Sequence, residues 1–164
     1  MSTPIVCVVG KSNVGKTTLV EKLLRELKKR NYKVGTIKHD VHGFNMDKPG
    51  KDTWKHAQAG ADSVIISSPD RMAMIKKVEK EWSLDELINL HKDMDIIICE
   101  GFKRANKPKI EVVRSERSTK NICSSEELIA VASDMDIKIE GVRTYDINDS
   151  IGLVDLIVHK IIKR

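Results

Sequence analysis

The sequence predicts an α/β fold, a mostly parallel sheet flanked by helices with an added β-hairpin region. Apolar runs of strand length alternate with segments whose apolar residues recur at helical spacing. The first apolar run leads directly into a glycine-rich loop and then into a helix. The chain has 164 residues, 40% of them hydrophobic, and shows no repeat or low-complexity linker, so we expect a single domain spanning 1–164.

The glycine-rich loop has the spacing G-x-x-x-x-G-K-[ST] of a phosphate-binding loop, or P-loop. Its two glycines let the backbone curl so that successive N–H groups point at an anion. Lys16 would reach the β- and γ-phosphates, and the Thr17 hydroxyl would ligate Mg²⁺. We therefore predict a nucleotide site formed by Gly10, Lys11, Ser12, Asn13, Val14, Gly15, Lys16 and Thr17.

The elements on either side of this loop support that interpretation. Residues 5–9 form a continuous apolar run, as expected of a buried parallel strand. After the loop, leucines at 19, 23 and 27 recur at helical spacing. The helix would end in basic residues 28–30, with Asn31 as its cap.

A second strand is predicted over residues 33–38, and polar residues follow its end. Ligands of open α/β sheets lie beyond the carboxyl ends of the strands, so His39 and Asp40 should face the nucleotide. Asp40 could reach Mg²⁺ through a water or position an attacking water, but turns also favour Asp. His39 would contact a phosphate or a substrate. His39 and His42 lack the further ligands that a zinc site needs.

Residues 45–60 form a polar stretch, which suits a switch or substrate loop but also a solvated surface loop. Asp52 or Thr53 would cap a short helix that ends at Gly60. Two strands, 63–67 and 71–76, flank a Ser-Pro-Asp turn and predict a hairpin. The next helix would bury a stripe formed by Leu84, Leu87, Ile88 and Leu90.

The apolar run at 96–99 ends in Glu100 and then Gly101, as a magnesium-binding strand does. Such a strand is hydrophobic because it is central, and acidic at its tip because Mg²⁺ near the phosphates needs a carboxylate. The separation from the P-loop supports this role for Glu100. The basic loop that follows, with Lys103, either contacts phosphates or is simply solvated.

Three further strands are predicted, over 109–114, 128–133 and 144–146, before a final helix capped by Asp149 or Ser150. Asp134 directly follows the second of these strands. A carboxylate there could accept hydrogen bonds from N1–H and N2–H₂ of guanine together, which adenine does not offer. An ordinary turn residue is the equally weighted alternative for Asp134.

The bulk composition narrows the class of protein. The net charge of +5 suits phosphorylated ligands or an acidic partner as well as nucleic acid. Two Phe, two Tyr and two Trp provide no stacking platform, so we discount nucleic acid. No apolar run is long enough to span a membrane. Three cysteines and the lack of a signal peptide favour a cytoplasmic protein.

Together these motifs resemble the molybdopterin-guanine dinucleotide biosynthesis protein B (MobB) family of small P-loop GTP-binding proteins. The resemblance extends over nearly the whole chain and is looser after Ser115. It rests on the P-loop with Thr18 and Leu19, Lys38-His39-Asp40-x-His42-Gly43-Phe44, Asp47-x-x-Gly50-Lys51-Asp52-Thr53, Ala59-Gly60-Ala61, Glu100-Gly101-Phe102-Lys103 and Pro108-Lys109-Ile110-Glu111-Val112-Val113-Arg114.

The resemblance implies a homodimer that binds GTP with Mg²⁺, hydrolyses it weakly and assists the molybdenum cofactor guanylyltransferase, which attaches GMP to molybdopterin. It extends phosphate binding to Thr18 and implies magnesium or hydrolysis roles for Asp40 and Glu100 beside Lys16. Candidates for substrate or partner contacts are His39, Asp47, Lys51, Asp52, Lys103 and Arg114.

Lys11 departs from the usual pattern of that family. It resembles the lysine that related dimeric ATPases insert into the partner's site, although a lysine is usually solvated. A dimeric ATPase-type switch is therefore one alternative function. A P-loop kinase of a small metabolite is another, although the scattered arginines do not suggest the lid that it needs. A partner-binding module with a structural nucleotide is the third.

Overall fold

The computed structural model describes residues 2–163, and the chain divides into two compact units. The first, here called the sheet unit, comprises the described residues up to His39 and from Leu84 onward. The second, here called the hairpin unit, is Asp40–Ser83. The expectation of a single domain over 1–164 stays a prediction.

Residues 2–163 form eight strands and four α-helices, divided between the two units. The strands are β1 (Ile5–Val9), β2 (Val34–Lys38), β3 (Ser63–Ser67), β4 (Met72–Lys76), β5 (Ile96–Glu100), β6 (Lys109–Val113), β7 (Leu128–Ser133) and β8 (Thr144–Asp146). The helices are α1 (Lys16–Lys29), α2 (Asp52–Gln58), α3 (Leu84–Ile88) and α4 (Ser150–Ile157). Short 3-10 turns lie at Asn89–His91 and Ser125–Glu127, and α4 continues as a π-helical turn over Val158–Ile162.

The sheet unit contains a six-stranded sheet in the order β2-β5-β1-β6-β7-β8, with every neighbouring pair parallel. The carboxyl ends of these six strands therefore lie at one edge of the sheet, where the loops after β1, β2, β5 and β7 begin. This sheet, its flanking helices and the separate β3–β4 hairpin confirm the predicted fold class. Among residues 2–163, no helix combines the length and apolarity needed to cross a bilayer.

Both faces of the sheet are covered, which explains why β1 is apolar at every position. On one face, Val6 and Val8 pack with α1 and α4. On the other, Cys7 and Val9 belong to a second core with α3 and the loops after β5, β6 and β7. A strand alternates its side chains between faces, so burial on both sides requires a continuous apolar run.

Helix ends follow the local chemistry of the sequence. Arg30 occupies the C-cap position of α1, so the predicted cap at Asn31 is wrong by one residue. Asn31 follows in the left-handed conformation, with a φ of 64°, and its N–H donates to the Lys28 carbonyl at 3.0 Å, which ends the helix. The Asp149 side chain accepts from the Gly152 N–H at 2.8 Å and so caps α4, one of the two predicted choices. Leu90 was expected inside but is 57% exposed, because α3 ends at Ile88.

Two buried charges on β6 hold the loops that cover the second core, and neither was predicted. The Lys109 ammonium is fully buried and donates to the Ala105 carbonyl at 2.6 Å and to Glu127 at 2.7 Å. Glu111 accepts from the N–H groups of Ile122 and Cys123, at 2.6 and 3.0 Å. Each charge is thus compensated by partners on the loops beside β6, which lie between 4 and 18 positions from it in the sequence.

In the hairpin unit, β3 and β4 pair antiparallel, with Ser63 opposite Lys76 and Ser67 opposite Met72. The hairpin was predicted, one residue longer at the start of β4. The short helix α2 was also predicted, but Lys51 occupies its N-cap position and Asp52 lies in its first turn. The predicted cap is therefore wrong by one residue for Asp52 and by two for Thr53, and the Asp52 carboxylate acts on the helix dipole instead.

Candidate nucleotide-binding site

The P-loop connects β1 to α1 through three residues with positive φ, namely Gly10 (147°), Asn13 (59°) and Gly15 (95°). Gly10 is required for space as well, because a Cβ there would lie 2.6 Å from the Val112 carbonyl oxygen of β6. Val14 is fully buried and anchors the loop in the core. The loop is therefore a pre-formed turn, held by the sheet on one side and by α1 on the other.

The Lys16 side chain folds back across this loop. Its Nζ donates to the Lys11 carbonyl at 2.7 Å and to the Gly10 carbonyl at 3.2 Å. Burial lowers the pKa of Lys16, and nearby Lys38 lowers it further, while Glu100 acts in the opposite direction. The ammonium thus lies at the N-terminus of α1, where helix geometry already favours an anion.

Thr17 and Glu100 meet as the sequence predicts for a magnesium site. The Thr17 hydroxyl donates to Glu100, with its Oγ1 2.9 Å from Oε1 and 3.1 Å from Oε2. The Glu100 side chain is only 12% exposed. A hydroxyl and a carboxylate are oxygen donors of the kind that Mg²⁺ prefers, so this pair fits the ion.

Lys38 also contacts Glu100, and the sequence reasoning missed it. Its Nζ lies 3.0 Å from Oε1 of Glu100. The contact follows from the parallel register of β2 and β5, which places Lys38 beside Glu100. The sequence does place Lys38 at the end of a predicted strand, directly before His39 and Asp40, which could have identified it as a site residue. Its contact with Glu100 could not be predicted, because it depends on the order of the strands.

His39 packs against the residues that follow Glu100. Its backbone N–H donates to the Glu100 carbonyl at 2.9 Å, and its ring stacks on Phe102 with centroids 4.4 Å apart. A Cβ on Gly101 would come within 3.0 Å of the His39 Cβ. The ends of β2 and β5 are thus locked together, and a substrate contact by His39 stays a prediction.

Asp134 lies at the carboxyl end of β7, on the same sheet edge as the P-loop. Its oxygens accept from the N–H and the hydroxyl of Ser115, each at 2.8 Å. These hydrogen bonds lower the pKa of Asp134. Each carboxylate oxygen retains a second acceptor position, so these hydrogen bonds are compatible with a contact to guanine as well as with a turn. The candidates Lys103 and Arg114 are exposed beyond β5 and β6.

The other candidates lie in the hairpin unit, Asp40 and Asp47 in local turns and Lys51 and Asp52 at the start of α2. Asp40 accepts from the His42 N–H at 2.9 Å, which is the turn geometry given above as its alternative. Asp47 accepts from the Thr53 hydroxyl at 3.1 Å and from the Lys48 N–H at 2.8 Å. The proposed functional roles of Asp40, Asp47, Lys51 and Asp52 stay predictions.

Comparison with known proteins gives a consistent result. Residues 5–134 match the family model described as molybdopterin guanine dinucleotide synthesis protein B, MobB. The chain is 37% identical to the molybdopterin-guanine dinucleotide biosynthesis adapter protein of Haemophilus influenzae, covering 94% of this chain and 87% of the relative. It is 35% identical to the Escherichia coli adapter protein, covering 94% and 91%. The crystal structure of Bacillus subtilis MobB aligns with a TM-score of 0.75 at 26% identity, covering 98% of this chain and 99% of that one.

Proposed function

Because the chain belongs to the MobB family, we propose that it is a GTP-binding adapter protein of molybdenum cofactor biosynthesis. In this role it assists the guanylyltransferase that attaches GMP to molybdopterin. The observation that supports nucleotide binding is that the P-loop, the start of α1 and the end of β5 meet at one edge of the sheet. Lys16 lies over the P-loop, and Thr17 at the start of α1 contacts Glu100 at the end of β5.

The phosphates of GTP would be bound by the backbone of residues 10–18, by Lys16 and by the N-terminus of α1. Thr17 and Glu100 would hold Mg²⁺, which neutralises charge on the phosphates. Asp134 is proposed to accept from guanine while keeping its Ser115 bonds. Lys103 and Arg114 are proposed to contact a second phosphorylated molecule or the partner enzyme, because both are exposed cations beyond the strand ends.

Hydrolysis, in this proposal, is attack of water on the γ-phosphate. Lys16 and the loop N–H groups would stabilise the charge that develops on the phosphate oxygens. The role of Asp40 in positioning the water rests on the resemblance to the family. We expect slow turnover, which suits an adapter or switch more than a metabolic enzyme.

We propose that the hairpin unit forms a homodimer contact with a second copy. Large apolar side chains on both strands are exposed, including Ile65 (60%), Ile66 (56%) and Met72 (64%). An exposed apolar surface of this kind is typical of an interaction site. Sedimentation velocity of the protein should show a dimer, which Ile65→Asp should weaken. A monomeric wild-type protein at the highest concentration tested would contradict this contact.

A cytoplasmic location is proposed from the cysteines. Cys7, Cys99 and Cys123 are free and buried, as expected in a reducing compartment. Burial raises the pKa of Cys123 to about 12, so this thiol behaves as a small apolar group rather than as a reactive one.

Equilibrium binding of GTP and ATP, each with and without Mg²⁺, tests the proposed function. We expect GTP to bind more tightly than ATP and Mg²⁺ to strengthen GTP binding. Equal binding of the two nucleotides, or preference for ATP, would contradict the GTP assignment. Preference for ATP would instead favour the dimeric ATPase-type switch, for which the exposed Lys11 is the candidate residue. Phosphate transfer to a metabolite would favour the kinase.

A further inference from the structure

A second lysine stands beside the proposed magnesium-binding residues. Glu100 Oε1 is shared by the Thr17 hydroxyl at 2.9 Å and by the Lys38 ammonium at 3.0 Å. Lys38 and the P-loop therefore approach Glu100 from two sides. The sheet order β2-β5-β1 places the ends of these three strands next to one another. Two cations, Lys16 and Lys38, thus lie near the anion Glu100.

The ammonium of Lys38 is close enough to act on the P-loop itself. Lys38 is among the groups that lower the pKa of Lys16, as expected of a like charge nearby. Its side chain is 59% exposed, while that of Glu100 is 12% exposed. Lys38 can therefore change partner by rotation about its flexible stem, whereas Glu100 is held in place.

Once a nucleotide and Mg²⁺ bind in the proposed way, Glu100 cannot bind Mg²⁺ and stay paired with Lys38 equally well. A carboxylate that holds Mg²⁺ brings a divalent cation close to any ammonium on the same oxygen, and like charges repel. Lys38, whose side chain is 59% exposed, would then turn to water or to another anion. A P-loop backbone cradles the α- and β-phosphates, and its Ser/Thr and magnesium mark the β/γ end. Lys38 and Thr17 contact the same oxygen of Glu100, so the γ-phosphate is the phosphate that we expect nearest to Lys38.

We propose that Lys38 is a second phosphate-binding cation, which pairs with Glu100 before nucleotide binding and with the γ-phosphate of a nucleoside triphosphate afterwards. The inference rests on the proposed function and deepens it. Lys38 would be the residue that distinguishes GTP from GDP, because only the triphosphate carries that phosphate. It would also compete with Mg²⁺ for Glu100 in the absence of the γ-phosphate.

The test compares GTP and GDP affinities of wild type, Lys38→Met and Lys38→Arg at saturating Mg²⁺. The matched control is Lys33→Met. Lys33 is also exposed, but it directly precedes β2, at the end of the strand away from Glu100. We expect Lys38→Met to weaken GTP binding about tenfold and to change GDP binding less than about twofold, given the usual size of a charge-assisted hydrogen bond. Lys38→Arg should keep most of the GTP preference, and Lys33→Met all of it.

A second readout uses no triphosphate. In Lys38→Met, the Mg²⁺ concentration for half-maximal GDP binding should fall, because Glu100 loses its competing cation. Equal loss of GTP and GDP affinity in a variant with unchanged thermal unfolding would overturn the inference, as would an unchanged GTP-to-GDP ratio. Lys38→Gln provides the same comparison if Lys38→Met does not fold. Failure of the wild-type protein to bind either nucleotide would instead overturn the proposed function, and this inference with it.

Discussion

Thr17 and Glu100 are 83 positions apart in the sequence, yet the Thr17 hydroxyl lies 2.9 and 3.1 Å from the two carboxylate oxygens of Glu100. This contact joins the first turn of α1 to the end of β5. It depends on the parallel pairing of β1 with β5, which brings the P-loop next to the Glu100 tip. Substitutions in the site that this contact organises, and in the packing that supports it, should therefore change nucleotide binding or stability.

Replacing Lys16 with alanine should abolish tight nucleotide binding. The Lys16 ammonium lies over the P-loop, 2.7 Å from the Lys11 carbonyl, and is the cation best placed for the phosphates. Charge-assisted hydrogen bonds of this kind contribute about 1.5–3 kcal/mol each, so we expect a loss of roughly 100-fold in GTP affinity. Lys29→Ala, on the exposed end of the same helix, is the control for lost charge. Tight GTP binding by Lys16→Ala would contradict the phosphate assignment.

Gly10→Ala should destabilise the folded protein by about 2–3 kcal/mol, since the new Cβ meets backbone in a strained conformation. The φ at Gly10 is 147°, and the Cβ would lie 2.6 Å from the Val112 carbonyl oxygen. Gly141→Ala is the matched control, because Gly141 also has positive φ, 74°, but a Cβ there has nothing within 4 Å. Urea denaturation measures the free energy of unfolding of both variants. Equal destabilisation by the two changes would show that close approach to β6 is unimportant.

Asp134→Asn should weaken GTP binding more than ATP binding, if Asp134 accepts from guanine. The amide keeps the shape of the side chain but loses half of the acceptor capacity of the carboxylate. Ser115→Ala is the control, because it removes one of the two hydrogen bonds to Asp134 while leaving the charge. Competition binding with both nucleotides decides the question. Equal losses for GTP and ATP would favour the turn interpretation.

Glu127→Gln should reduce the loss of stability in acid. The hydrogen bond from Lys109 holds the pKa of Glu127 below its ordinary value in the folded protein. The unfolded chain therefore binds more protons at this residue, so the ion pair stabilises the protein above the unfolded pKa. That stabilisation is lost as pH falls from about 5 towards 3.

The measurement is the free energy of unfolding against pH for the wild type and for Glu127→Gln. The variant should be less stable at pH 7, because Lys109 is fully buried and loses its carboxylate partner. Below pH 5, the free energy of unfolding of Glu127→Gln should also fall less steeply with pH than that of the wild type. Glu126→Gln, in the same 3-10 turn, controls for the loss of a nearby carboxylate. Parallel curves for wild type and Glu127→Gln would contradict the role of this pair.

The sequence by itself determined the local structure and the P-loop chemistry. The extent of β7, the cap at Asp149 and the glycine loop followed from patterns within a few residues, because strand and helix periods and turn geometry are local properties. The Glu100 tip was recognisable for the same reason. These features predict a nucleotide as the ligand.

Only the tertiary structure decided which distant side chains meet. Lys38 contacts Glu100 because β2 pairs with β5, and Lys109 contacts Glu127 across the loops beside β6. Leu90 is exposed because the chain leaves α3 two residues earlier, although its spacing suited a buried stripe. Strand order and register depend on the packing of the whole sheet unit, so a sequence pattern identifies the groups available but not the pairs that they form.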